Sequence, residues 1–204
     1  MNKIEYKIKF TSDWAILSGK SAGGIDNRLL RDENGFPYIP GKTIKGVFRE
    51  GYEEIEEMLP EGFKKLEFFG KIKEREKGDN ADKEDSIFIF SNAELPKDLK
   101  EEINSLKPQD KAFVLNEIGY VIPRNRIDDE TNMAEEKALA FFEVGRKGIE
   151  FIASIVKKDN SDITPDEEKL FIEYLFKYVR RIGALRTRGK GKFEIEVINN
   201  KSTN

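Results

Sequence analysis

Four apolar runs, separated by two stretches of helical period, restrict the folds open to this chain more than any other feature. Ile4, Tyr6, Ile8 and Phe10 occupy alternate positions with Lys and Glu between them, the pattern of a strand with one buried face. Ile87 to Phe90 is too short for a helix and reads as a buried strand; Ile149, Phe151, Ala153 and Ile155 alternate again, and Phe193, Ile195 and Val197 mark the last strand. Between the first two runs, Ile44, Val47, Phe48, Tyr52, Ile55 and Leu59 recur every three or four residues, which predicts an amphipathic helix ending at Pro60. Between the last two, Thr164-Pro165-Asp166-Glu167 combines an N-cap, a Pro at the first helical position and a capping-box Glu. The helix it predicts buries Leu170, Phe171, Tyr174, Leu175, Tyr178 and Ile182 and ends at Gly183. A short second strand, Trp14 to Leu17, is expected after a bend at Ser12 and Asp13. The order β-α-β-β-α-β is that of an α+β, ferredoxin-like (RRM-like) core, in which two helices cover one face of a four-stranded antiparallel sheet.

The remaining residues are insertions. A single domain is expected over residues 1–198, interrupted at about 71–86 and 93–145 and followed by a tail at 199–204. Lys71 to Ser86 is charged and polar, hence a surface loop, and Phe68-Phe69-Gly70 before it reads as a hydrophobic anchor beside a turn. In the longer insertion, Phe113 to Leu115 and Gly119 to Ile122 are expected to pair as a small hairpin, and Pro123 to Ala134 to form a thumb-like excursion. No apolar run approaches the roughly 18 residues of a membrane span, and MNKIEYKIKF is a strand pattern rather than a signal sequence, so a cytoplasmic location without membrane contact is expected.

The chain has no Cys and no His. Thiol nucleophiles, disulfides, the usual zinc sites, Ser-His triads and His-based acid/base pairs are therefore excluded, and any catalysis must use carboxylates, Lys, Tyr or a hard cation. The net charge of −3 is unevenly spread: residues 53–85 hold twelve acidic and seven basic side chains, whereas 180–192 hold six basic and none acidic. Local patches rather than net charge set phosphate affinity.

Two stretches combine such patches with flexible backbone. In GGIDNRLLRDENGFPYIPGKTIKGVFR, residues 23–49, two glycines lead to Asp26, a stiff Pro-Tyr-Ile-Pro approach follows, and Gly41 opens the helix, whose Lys42, Lys45 and Arg49 share one face. Free N–H groups and cations at a helix start attract phosphate; the alternative is a capped helix with a solvated basic edge. A P-loop does not fit, since Gly41-Lys42-Thr43 lacks the earlier glycine at the required spacing. The second stretch, Gly183 to Gly191, carries Arg186, Arg188 and Lys190 among three glycines, either a phosphate-binding loop or a flexible basic turn. Asp26 in isolation could simply cap the turn after Gly24.

Taken together, the Pro-Tyr-Ile-Pro-Gly-Lys-Thr-Ile-Lys-Gly helix start, Phe-Phe-Gly ahead of Ile-Phe-Ser-Asn-Ala, and the Gly-rich basic loop near the C-terminus resemble the RAMP superfamily of CRISPR-associated proteins. Gly24-Ile25-Asp26-Asn27, followed by Arg31-Asp32 and the Pro-Gly helix, resembles the backbone subunits of type III (Csm/Cmr-type) effector complexes. The resemblance implies a subunit that polymerises head to tail along a guide RNA beside other CRISPR effector subunits. It also implies an antiviral endoribonuclease that cleaves complementary target RNA. It carries over Asp26 as the cleavage residue and ligand of Mg²⁺ or another divalent cation, alone or with Asp32 or a neighbouring subunit's carboxylate. Arg124 and Arg126, in Arg-Asn-Arg-Ile-Asp, resemble the start of the family's thumb and join Gly41, Lys42, Lys45, Arg49, Arg186, Arg188 and Lys190 as expected RNA contacts. Two departures stand out: some relatives place a His near the cleavage site, and the 71–85 insertion matches no family motif. An inert scaffold subunit and a guide-processing endoribonuclease of the same superfamily use the same residues.

Overall fold

The computed structural model describes residues 3–55, 69, 86–125, 139–158 and 165–201. In chain order these form β1 (Lys3–Phe10), β2 (Tyr38–Ile39), α1 (Gly41–Ile55), β3 (Phe88–Phe90), β4 (Ala93–Glu94), α2 (Lys97–Ser105), α3 (Pro108–Glu117), β5 (Gly119–Arg124), β6 (Ala140–Gly145), β7 (Glu150–Lys157), α4 (Pro165–Tyr178) and β8 (Phe193–Lys201). Strand β1 is an interior strand of the main sheet, antiparallel to β7 on one side and to the edge strand β8 on the other. Beyond β7 come β3 and β4, and β2 extends the sheet from β4. β5 and β6 form a separate antiparallel pair.

The alternation of β1 places Ile4, Tyr6, Ile8 and Phe10 in the core, where they meet Phe151, Ala153 and Ile155 of β7. Helix α1 buries Ile44, Phe48, Tyr52 and Ile55, and α4 buries Ile172, Leu175 and Phe176. Both helices touch the same strand residue, since the Tyr6 ring lies 6.5 Å from Phe48 and 5.0 Å from Phe176. Phe69, from the expected anchor, is buried against Tyr52 and Phe90. The Tyr6 hydroxyl is buried without a hydrogen-bond partner among the described residues, and burial pushes its pKa up. Leaving a buried hydroxyl unpaired costs about 1–3 kcal/mol. Tyr6→Phe is therefore expected to raise the denaturation midpoint, and a lowered midpoint would show that the hydroxyl is satisfied.

Several expectations are corrected. Trp14 to Leu17 does not form a strand; Trp14 and Leu17 make isolated bridges to Gly145 and Leu29, because the chain turns across the β5–β6 hairpin rather than continuing β1. Phe113 to Leu115 belong to helix α3, started by Pro108 at its first turn, and β5 pairs with β6 instead. The apolar face of α4 differs in part from the expected one: Leu175 and Ile182 are buried as expected, but Tyr174 and Tyr178 are 42% and 43% exposed, Ile172 and Phe176 take core positions, and the helix ends at Tyr178 rather than Gly183. β8 extends past Val197 to Lys201, paired with the start of β1 across a register shift. The helix end at Pro60, the N-cap Thr164, the loop from Lys71 to Asp85 and the far part of the thumb lie outside the described residues.

Candidate nucleic-acid interface

Asp26 follows a tight two-residue turn. Ala22 and Ile25 exchange backbone hydrogen bonds of 3.0 and 3.1 Å, and Gly23 and Gly24 between them adopt φ of 59° and 77°, values that side-chain-bearing residues adopt rarely. The Asp26 carboxylate does not cap this turn. Its Oδ2 accepts the Phe141 N–H at 2.6 Å, while the N–H groups of Asp26 and Asn27 donate to the Phe141 carbonyl at 2.9 and 3.2 Å. Asn27 makes an isolated parallel bridge to Phe142, so residues 26–27 lie against β6. Asp26 is exposed, and its Oδ1 makes no hydrogen bond or ion pair among the described residues.

Asp32 is committed elsewhere. Its Oδ1 accepts the Asn34 and Phe36 N–H groups, both at 2.9 Å, and Oδ2 faces Lys100 at 3.7 Å. Among the described residues no three acidic side chains form a metal-binding group. Among the described residues Asp26 thus presents one exposed, backbone-anchored carboxylate to a candidate divalent cation. That donor set fits Mg²⁺, which keeps most of its waters and is commonly held by one or two carboxylates together with substrate phosphates.

The start of α1 differs from an open phosphate cradle. The Gly41 N–H donates to Asn92 Oδ1 at 2.9 Å, and a Cβ at Gly41 would stand 2.1 Å from the Phe90 carbonyl oxygen. Close packing on β3 is what requires glycine here. Lys42 is exposed and lines a pocket of about 520 Å³ with Thr43, Asn92 and Tyr38. Arg49 pairs with Glu53 at 2.9 Å, and Lys45 is half-buried and partnered.

The Gly183 to Gly191 loop is docked rather than free. A Cβ at Gly183 would stand 2.6 Å from the Ala15 carbonyl oxygen, and one at Gly191 2.0 Å from that of Ile182. Arg186 grips Glu50 of α1 through two bonds of 2.7 and 3.3 Å. Lys190 donates to Asp13 Oδ2 at 3.0 Å and Tyr120 Oη at 3.4 Å, and Tyr120 itself donates to Asp13 at 2.6 Å. Arg188 between them is exposed. Arg124 lies 5.3 Å over the Phe142 ring, and Arg126 is outside the described residues. Since Arg124 pairs with Ala140 and the next residue, Phe141, holds Asp26, the fold brings Asp26 and Arg124 to one end of the hairpin. Sequence reading missed Asp13 and Tyr120, which carry no local signal, and Glu143, a lone acid inside the apolar run Ala140–Gly145.

Burial disfavours the charged form of Asp13, but hydrogen bonds from Tyr120, Lys190 and the Lys147 N–H outweigh it and hold its pKa below the usual carboxylate range. The Asp13 bond likewise raises Lys190, against a smaller desolvation effect. A depressed folded-state pKa contributes stability above the unfolded value, about 4, and that contribution is lost as the pH falls through the folded value. Acid is therefore expected to loosen the 183–191 loop below about pH 4. Asp13→Asn should remove this acid-sensitive part of loop protection in hydrogen exchange; an unaltered acid profile in the variant would exclude Asp13 as its source.

No helix among the described residues is long and apolar enough to cross a membrane. No curated protein matches the sequence. Among solved structures, a chain of the type III-B Cmr-beta complex in its apo state matches with a TM-score of 0.63 and 16% identity, covering 97% of each chain. A chain of type III-B Cmr-beta bound to cognate target RNA matches with a TM-score of 0.69 and 16% identity, covering 96% of each. At that identity the likeness is one of fold. The family profile of the RAMP superfamily matches residues 7–194, nearly the whole length, and the chain belongs to that superfamily.

Proposed function

We propose that this RAMP protein is a guide-RNA-binding backbone subunit of a type III CRISPR effector and that it cleaves complementary target RNA at Asp26. The observation carrying the reading is the exposed Asp26 carboxylate, fixed to β6 through one oxygen with the other left unbonded among the described residues. Family membership and the fold shared with chains of Cmr-beta, one of them bound to cognate target RNA, support the RNA role. The strand order β8-β1-β7-β3/β4, with α1 and α4 both on Tyr6, supports a ferredoxin-like core in one domain.

In this reading Asp26 would hold a divalent cation, whose chemistry would be to offset negative charge at the scissile phosphate. The Phe141 N–H keeps Asp26 Oδ2 in place and leaves Oδ1 without a hydrogen bond among the described residues. The target 2′-OH would attack phosphorus in line, its proton passing to water, as the P–O5′ bond breaks and the 5′-oxygen takes a proton from water, giving a 2′,3′-cyclic phosphate and a 5′-hydroxyl. Lys42 and Arg188 contact guide phosphates without reading bases, with Arg124 at the thumb; Lys45, Arg49, Arg186 and Lys190 join them only by exchanging the partners they hold. An inert scaffold is the second reading, favoured by the lack of a three-acid group among the described residues.

The test is assembly on long single-stranded RNA followed by particle sizing across a salt series. Head-to-tail polymers, and affinity that falls steeply with salt on unrelated sequences alike, are expected. Replacing Arg186, Arg188 and Lys190 by Ala should flatten the salt slope, with Arg188→Ala alone reducing it by about one. Strictly monomeric particles, or an unchanged slope in the triple variant, would remove the backbone reading or the loop respectively.

A further inference from the structure

We propose that Glu143 is the positioning residue that holds Asp26 in its working orientation, an inference that rests on Asp26 being the cleavage residue. Among the described residues Glu143 is the buried charged side chain, 7% exposed. Its Oε2 accepts the Leu29 N–H at 2.9 Å, and its Oε1 accepts Arg31 Nη2 at 2.7 Å. The Arg28 Nε stands 3.9 Å from Oε2, and the Glu143 N–H donates to the Asn27 carbonyl at 2.8 Å. Arg31 spends a second nitrogen on the Gly35 carbonyl at 2.9 Å.

These bonds share one geometry: backbone or side chain of Asn27, Arg28, Leu29 and Arg31 is tied to a single β6 residue two positions from Phe141, which grips Asp26. A buried ion pair is a poor source of stability compared with apolar packing of the same volume, and its best-attested use is to fix one arrangement among several. Without the Glu143 carboxylate the segment after Asp26 keeps its backbone bonds to β6 and, through Arg28 and Leu30, to residues 16–20, but loses the side-chain tie between Leu29, Arg31 and β6, and the two-residue Gly23-Gly24 turn before it offers no side-chain restraint. A ligand carboxylate depends on such an outer partner for its orientation, and losing the partner commonly costs 10–100-fold in metal affinity or activity.

Glu143→Gln keeps the shape but presents one acceptor where two donors converge. In protein assembled on guide RNA, hydrogen exchange at the Asp26, Asn27 and Leu29 amides is expected to quicken about tenfold or more. Cleavage of matched target at saturating RNA should fall about tenfold or more, with RNA affinity unchanged and half-saturating Mg²⁺ raised. Arg31→Lys, which retains the charge opposite Glu143, should shift both readouts in the same direction by less, and replaces Glu143→Gln if that variant does not fold. Faster exchange with an unchanged rate and Mg²⁺ response, while Asp26→Asn is inactive, overturns the positioning role and leaves Asp26 standing. Unchanged exchange overturns it too. Full activity of Asp26→Asn removes the cleavage reading itself, and the Glu143 role with it.

Discussion

Asp26→Asn is expected to abolish target-RNA cleavage while leaving RNA binding and melting temperature nearly unaltered. Asn retains an oxygen that can accept the Phe141 N–H, and the exchanged backbone bonds between residues 26–27 and Phe141 do not involve the side chain, so the local fold survives. What is lost is the negative charge, and with it the hard anionic ligand a Mg²⁺ ion requires. Cleavage by the wild type should need a divalent cation and stop with EDTA. With no His in the chain, its rate should show no imidazole-like inflection between about pH 6 and 7. Full cleavage by the variant sinks the assignment in favour of the inert scaffold, and loss of folding would make Asp26 a structural residue.

Gly145→Ala should be the most destabilising small substitution in the hairpin. A Cβ there would stand 2.1 Å from Trp14 Cε2 and 2.3 Å from Cζ2. Trp14 cannot retreat: it is fully buried, stacked on Phe10 at 5.1 Å, edge-on to Phe151 at 5.3 Å, and tied by its indole N–H to the Arg146 carbonyl at 3.0 Å. Overpacking of this kind costs on the order of 3 kcal/mol. For a chain of this size that corresponds to a melting temperature lower by about 6–12 °C. Gly148→Ala is the control, since nothing lies within 4 Å of its Cβ position and its φ of 89° leaves only backbone strain of about 1–2 kcal/mol. Equal losses in the two variants would show that the contact with Trp14 relaxes freely.

The sheet was legible where one face is buried against a polar opposite face, as at Ile4, Tyr6, Ile8 and Phe10. Helix α3 was not, because Phe113-Val114-Leu115 reads as a strand until Pro108 is given its weight as a helix opener; Phe113 is 67% exposed, so no buried face advertises the helix. In α4 the periodicity identified a helix but not its rotation, since Tyr174 and Tyr178 match the spacing as well as Ile172 and Phe176 do. Asp26 stands out as a candidate from its sequence neighbours alone. Its bond to Phe141, the Asp13–Tyr120–Lys190 cluster and the Glu50 clamp on Arg186 join residues 70 or more positions apart, and local pattern contains no information on them. The basic loop illustrates the cost: three cations that look equivalent in sequence divide into two structural fasteners and one exposed charge, Arg188.

The position of β1 between β7 and β8 shapes how the molecule folds. Its two partners begin at residues 150 and 193, so neither edge can be closed by local pairing, and each pairing must first overcome the loop-closure entropy of most of the chain. Helices α1, α2 and α3 and the β5–β6 hairpin can form early from near neighbours. During synthesis the strand Lys3–Phe10 waits with Ile4, Tyr6, Ile8 and Phe10 uncovered until β7 emerges, and keeps one edge bare until β8 follows. The sheet is completed last at its β8 edge.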